Sequence, residues 1–153
     1  MTLAAASPAY APTLQKRAEV VALLNRILEN EMAGVVRYTH YSFMVFGHHR
    51  IPIISWLRSQ ANESLTHSQE VGELLTHLKE HPSLSIGQLL ETHQHDIEAI
   101  LGESLAHETQ QMGLYRDLLD LVKDDSILIE EFARRMVAAE EMHVGEVLKM
   151  MRH

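Results

Sequence analysis

Glu140-Glu141-Met142-His143 is a Glu-x-x-His step inside a stretch that otherwise reads as one long amphipathic helix. Residues three apart share a helix face, so the Glu140 carboxylate and the His143 imidazole project together. Met136, Val137, Val144 and Val147 flank them and turn that face inward. A carboxylate and an imidazole on an apolar stripe cost desolvation free energy unless something pairs them. A bound cation would pair both. Similar intrusions at Glu31, His67 and Glu108 make a metal centre inside a helical bundle the leading expectation. The competing reading makes each of them an interhelical ion pair or a hydrogen-bonded core-edge histidine. Tyr38 follows Glu31 by two turns, and Tyr115 follows Glu108 at the same interval. Each phenol can hydrogen-bond a ligand carboxylate or assist electron transfer, or can simply fill the core edge.

Four helices must position these groups. Thr13 is a candidate cap for the first, which should run to about Phe46 with Leu24, Ile27, Leu28, Glu31, Val35, Tyr38, Ser42 and Val45 on its inner stripe. Gly47 can end it and Pro52 suits the first turn of the second. The second should extend to His81, before Pro82, and carry Trp56, Gln60, Ser64, His67, Val71, Leu74 or Leu75, and Leu78 inward. Residues 83 to 90 read as a crossover. The third carries Ile97, Leu101, Ser104, Leu105, Glu108, Met112, Tyr115 and Leu119; Asp125 or Ser126 caps the fourth, with Ile129, Phe132, Met136, Glu140, His143, Val147 and Met151. Two short joins and one long one predict an all-α, antiparallel four-helix bundle with a single crossover, over residues 13–151. Residues 1–12 are expected to form a flexible tail.

The 153 residues suit one domain, and the absence of cysteine removes thiolate ligands, cysteine nucleophiles and disulfides. A net charge of -8 without a basic face disfavours nucleic acid as a partner. No apolar run approaches the roughly 20 residues needed to span a bilayer, and the first residues lack a secretory pattern. A cytoplasmic chain is the expectation.

In an antiparallel bundle, Glu31, His67, Glu108, Glu140 and His143 can meet in one central layer. That mixed oxygen and nitrogen set suits iron, manganese or zinc better than a soft copper site. Leu24-Asn25-Arg26-Ile27-Leu28-Glu29-Asn30-Glu31, Ala61-Asn62-Glu63-Ser64-Leu65-Thr66-His67-Ser68, Leu105-Ala106-His107-Glu108 and Ala139-Glu140-Glu141-Met142-His143 follow in order. With these segments the chain resembles the bacterioferritin branch of the ferritin-like superfamily, over about residues 20 to 150. The resemblance implies Glu31 and His67 as terminal ligands of one iron, Glu108 and His143 of the other, and Glu140 as a bridge. Tyr38 is then a residue beside the centre. It further implies oxidation of Fe(II) by oxygen or peroxide, storage of the product as a mineral, and a homo-oligomer.

The chain departs from that pattern at two neighbouring positions. The family repeats Glu-x-x-His on its second helix, but Ser64 stands at the glutamate position. Glu63 is one residue away, a rotation of about 100°, and would need a bulge to take its place. The site is therefore expected to hold a di-iron centre, a single metal, or a weakly bound pair, and oxidation activity can have been lost. Leu65 stands where the family places its haem-ligating methionine, which disfavours haem. The chain also ends close to the fourth helix, which weakens the expectation of the family's large cage. The alternatives are a noncatalytic divalent-metal-binding protein and a structural bundle whose polar core residues pair across helices.

Overall fold

A computed structural model describes residues 14–89 and 92–152, and these contain four α-helices and no strand. They are α1 (Arg17–Met44), α2 (Arg50–His77), α3 (Ile97–Val122) and α4 (Ile127–Met150). The candidate cap Thr13 and the tail at 1–12 lie outside the described residues, as does Leu90 at the end of the expected crossover.

Local chemistry explains the ends. Asp96 accepts the Ala99 amide at 2.9 Å and starts α3. Ser126 accepts the Ile129 amide and starts α4, while Asp125 instead receives the Gln15 amide at 3.0 Å. Gly47 adopts φ +97°, the left-handed region a glycine enters without penalty, within the join between α1 and α2. Helix α1 has already stopped at Met44, and α2 begins at Arg50, with Pro52 in its first turn. Helix α2 stops at His77, short of the expected His81. Lys79 turns left-handed there, and the Lys79 and Glu80 amides bond back to the Thr76 and Leu75 carbonyls. That is a Schellman closure, built here on lysine where glycine is usual.

Helices α1 and α2 form one antiparallel pair and α3 and α4 another, with α1 also packed on α3. The long connection docks along α1. The Gly87 amide donates to the Glu29 carbonyl at 2.8 Å, and the Ser83 amide donates to Asn25 Oδ1 at 2.8 Å. Arg17 ties the start of α1 to the Leu78 carbonyl and Glu80.

Two apolar clusters fill the bundle. The larger joins Leu24, Ile27, Val71, Leu75, Leu118, Ile129 and Met136, and the smaller joins Tyr38, Tyr41, Val45, Leu57, Ala61 and Ile100. On α2 the buried residues of this second cluster are Leu57 and Ala61, whereas Trp56 and Gln60 are only half-buried. The inner stripe is thus displaced by one residue there, and Trp56 lies edge-on to Tyr38. On α3, Leu114 and Leu118 are buried while Leu105, Met112 and Leu119 are half-buried. The expected polar residues lie between the two clusters.

Candidate metal centre

All four helices contribute to this polar layer. Glu31, His67, Glu108 and Glu140 are buried, and His143 keeps 18% of its side chain exposed. Carboxylates this deep are rarely left without charged or hydrogen-bonding partners, and Glu31 and Glu108 each have a dedicated set. Glu31 Oε1 accepts from Gln111 Nε2 and from the Tyr115 hydroxyl, each at 2.7 Å, and lies 3.2 Å from His67 Nδ1. Glu108 Oε1 accepts from the Tyr38 hydroxyl. The tyrosines therefore cross: α1 supplies the phenol for the α3 carboxylate, and α3 supplies the phenol for the α1 carboxylate.

Glu140 occupies the middle. Its Oε1 is 3.9 Å from His67 Nδ1 and its Oε2 is 3.5 Å from His143 Nδ1. His143 Nδ1 is also 3.8 Å from Glu108 Oε2. Ligand atoms from Glu31, His67 and Glu140 lie within 4.8 Å of one another, and so do those from Glu108, Glu140 and His143. The five residues thus form two triads that share Glu140.

Burial raises the Glu140 pKa to about 10, helped by the neighbouring Glu108, whose own carboxyl is held down at about 2 against its burial by Glu140 and His143 beside it. Together they behave as a pair holding one proton. Burial works against charge on His143, but the carboxylates of Glu108, Glu140 and Glu63 around its ring prevail and push it up to about 12. His67 is raised too, because Glu31 overcomes the effect of its burial. Burial lifts both phenols, Tyr38 and Tyr115, well above the ordinary tyrosine range.

The layer fits a cation on three counts. Glu140 Oε2 is buried with no hydrogen-bond partner among the described residues, although His143 Nδ1 stands 3.5 Å away. Both imidazoles turn Nδ1 toward the carboxylates. The donors are hard oxygens with borderline nitrogens, a set suited to iron, manganese or zinc.

The sequence reading missed several neighbours. Gln111, one turn beyond Glu108, reaches Glu31, and its own Oε1 accepts from Asn30. Gly34 lets Ser64 and His107 approach α1: a Cβ there would sit 2.7 Å from Ser64 Oγ and 3.0 Å from His107 Nε2. Ser64 is buried at the edge of the layer, on an α2 that stays helical throughout. Glu63 nevertheless reaches this region, with Oε1 at 3.0 Å from His143 Nε2 and 3.9 Å from His67 Nε2. Its carboxyl is held below the usual range by the bond to His143. Spacing offered a signal for Gln111 and Glu63, each one helical turn from a ligand candidate.

A four-helix bundle with carboxylate and histidine triads in its core defines a class of protein, and the sequence agrees with it. The model of the ferritin-like domain matches residues 21–153, and the chain belongs to that family. A search of curated proteins found no match. Among solved structures, a ferritin-like, diiron-carboxylate protein from Bacillus anthracis superposes with a TM-score of 0.86 at 17% identity, covering 92% of this chain and 100% of that one. A dodecameric thioferritin, the bacterioferritin-related protein of Bacteroides fragilis, gives 0.81 at 17% identity, with 86% and 83% covered. The bacterioferritin of Rhodobacter capsulatus, solved with a metal-free dinuclear site and haem iron, gives 0.79 at 19% identity, with 88% and 84% covered. At these identities the likeness establishes the fold.

Proposed function

We propose that the protein binds a pair of iron ions in this layer and oxidises Fe(II) with oxygen or peroxide. The observation that carries the reading is the pair of triads sharing Glu140. Glu31 with His67, and Glu108 with His143, are the terminal ligands, and Glu140 is the bridge. Iron supplies the electrons: two Fe(II) become two Fe(III) while oxygen and two protons become hydrogen peroxide, or peroxide and two protons become two waters. The three carboxylates favour the higher charge of the oxidised ions. Glu140 and His143 release protons when cations enter. Tyr38 orients Glu108 through its hydroxyl, and its place beside the centre also suits electron transfer.

With Ser64 in place of a second bridge, Glu140 is the one carboxylate shared by the two triads. This supports a more open and more weakly held pair than two bridges would give. It also makes a noncatalytic divalent-metal-binding protein the second reading. The bacterioferritin branch remains the closer affiliation we favour, on the ordered motifs. Leu65 on the outer face of α2 argues against haem. A homo-oligomer is supported by apolar side chains on the bundle exterior: Val36, Phe43, Leu65, Leu84 and Ile86 are 39%, 57%, 41%, 95% and 52% exposed. Storage of oxidised iron would follow if that assembly is hollow. The cytoplasm is the proposed location.

The test is anaerobic addition of Fe(II) to the metal-free protein, followed by air, with oxygen consumption and absorbance recorded. The oxidase reading expects up to two Fe(II) per chain and rapid oxygen uptake that Glu140→Ala abolishes. Stoichiometric metal binding without uptake would favour the noncatalytic reading.

A further inference from the structure

A histidine can offer either ring nitrogen to a metal, and the nitrogen it offers depends on what holds the other. Here both Nδ1 atoms face the carboxylate layer and both Nε2 atoms face away from it, toward Glu63. Glu63 Oε1 lies 3.0 Å from His143 Nε2 and 3.9 Å from His67 Nε2. Its side chain is 39% exposed, so it sits at the rim and not in the core. A rim carboxylate on α2 thus stands behind an imidazole of α4 and beside one of its own helix.

We propose that Glu63 is a positioning residue for the metal centre: it accepts the Nε2–H of His143, and secondarily faces that of His67, so that each ring presents Nδ1 to the cation. The inference rests on the metal-centre reading above. It also gives Ser64 a context. Helix α2 places no carboxylate at the bridging position, but contributes one through the histidines from the residue before it. A carboxylate behind an imidazole fixes its tautomer, locks its rotation and makes it a more basic ligand; loss of such a partner typically lowers metal affinity by about 10- to 100-fold.

The test uses Zn(II), which binds the same donor types and has no redox chemistry. Wild type, Glu63→Ala and Glu63→Gln are titrated by calorimetry, and the zinc-loaded proteins are examined by 15N NMR of the histidine rings. Helicity of the metal-free variants checks folding. The proposal expects zinc on Nδ1 and a proton on Nε2 of His143 in the wild type. It expects affinity about 10- to 100-fold weaker in Glu63→Ala, with His143 no longer held in one tautomer. Glu63→Gln keeps an acceptor oxygen and should restore most of the affinity and the wild-type ring pattern. An alanine variant with unchanged affinity and ring pattern overturns the proposal. So does a glutamine variant as weak as alanine, which would assign the effect to charge alone, or zinc found on Glu63 itself. If the wild type binds no zinc, the metal-centre reading falls and this inference falls with it.

Discussion

Replacing Glu140 by glutamine should stabilise the metal-free protein and sharply weaken its response to metal. Glu140 is 2% exposed, and its pKa is raised from 4.5 to about 10, first by burial and then by Glu108. An acid with a raised folded pKa contributes stability that is fully present below its unfolded value and is lost as pH rises toward the folded one. From pH 4.5 to pH 7, at about 1.4 kcal/mol per pH unit, the loss is about 3 kcal/mol. A neutral amide of the same shape escapes that loss. The metal-free Glu140→Gln variant is therefore expected to be more stable than wild type by about 2–3 kcal/mol at pH 7, a Tm rise of about 5–10 °C. The gain should shrink toward zero as pH approaches 4.5. With metal the order reverses. Zn(II) at one hundred times its dissociation constant should stabilise the wild type by about 2.7 kcal/mol, but the variant by much less, because an amide oxygen cannot offset two cations. Urea unfolding at pH 5 and pH 7, with chelator or with zinc, measures all four quantities. A metal-free variant less stable than wild type at pH 7, or one that zinc stabilises equally, would refute the reasoning.

The crossed tyrosines make an asymmetric prediction. Tyr38→Phe removes the phenol donor to buried Glu108 and should cost about 1.5–3 kcal/mol in urea unfolding. Tyr115→Phe should cost less, because Gln111 still donates to Glu31; equal losses would contradict the hydrogen-bond assignment. Gly34→Ala should destabilise despite the better helix propensity of alanine, a gain of about 1 kcal/mol. Its methyl would meet Ser64 Oγ and His107 Nε2 at 2.7 and 3.0 Å, an overpacking cost of about 1–3 kcal/mol. Adding Ser64→Ala should recover part of that loss, as thermal unfolding of the double variant would show. Metal binding at pH 7 should release about two protons per chain, from Glu140 and His143, whose pKa values are about 10 and about 12 without metal. Calorimetry in buffers of different ionisation heat reads that number; no release would mean that neither group is a ligand.

The bundle was legible in the sequence because long 3.6-residue stripes are hard to satisfy any other way, and because glycine and proline fall between them. Helix ends were less so. Lys79 closes α2 in a left-handed conformation that sequence reading reserves for glycine, so the stop appeared to belong to Pro82. The displacement from Trp56 and Gln60 to Leu57 and Ala61 depends on how α2 rolls against α1, which one stripe does not encode.

The polar intrusions were visible for a related reason: Glu31, Glu108 and Glu140 interrupt runs of aliphatic residues, and His143 shares a face with Glu140. Which partner each would meet was not visible. Tyr38 lies on the helix of Glu31 but bonds to Glu108, because reach across the bundle outweighs proximity along the chain. Helical rotation is all that the sequence shows of Glu63. Rotation keeps it off the bridging position, but the glutamate side chain is long enough to stand behind the histidines from the rim. The buried guanidinium of Arg37, whose nitrogens find no hydrogen-bond partner among the described residues, was likewise missed. A single charged residue on a helix reads as surface.

Anomalous diffraction from crystals soaked anaerobically with Fe(II) addresses the central claim most directly. Two iron peaks flanking Glu140 are expected, one within bonding distance of Glu31 and His67 Nδ1 and the other of Glu108 and His143 Nδ1. Iron confined to the exterior, with the five side chains still paired among themselves, would contradict it.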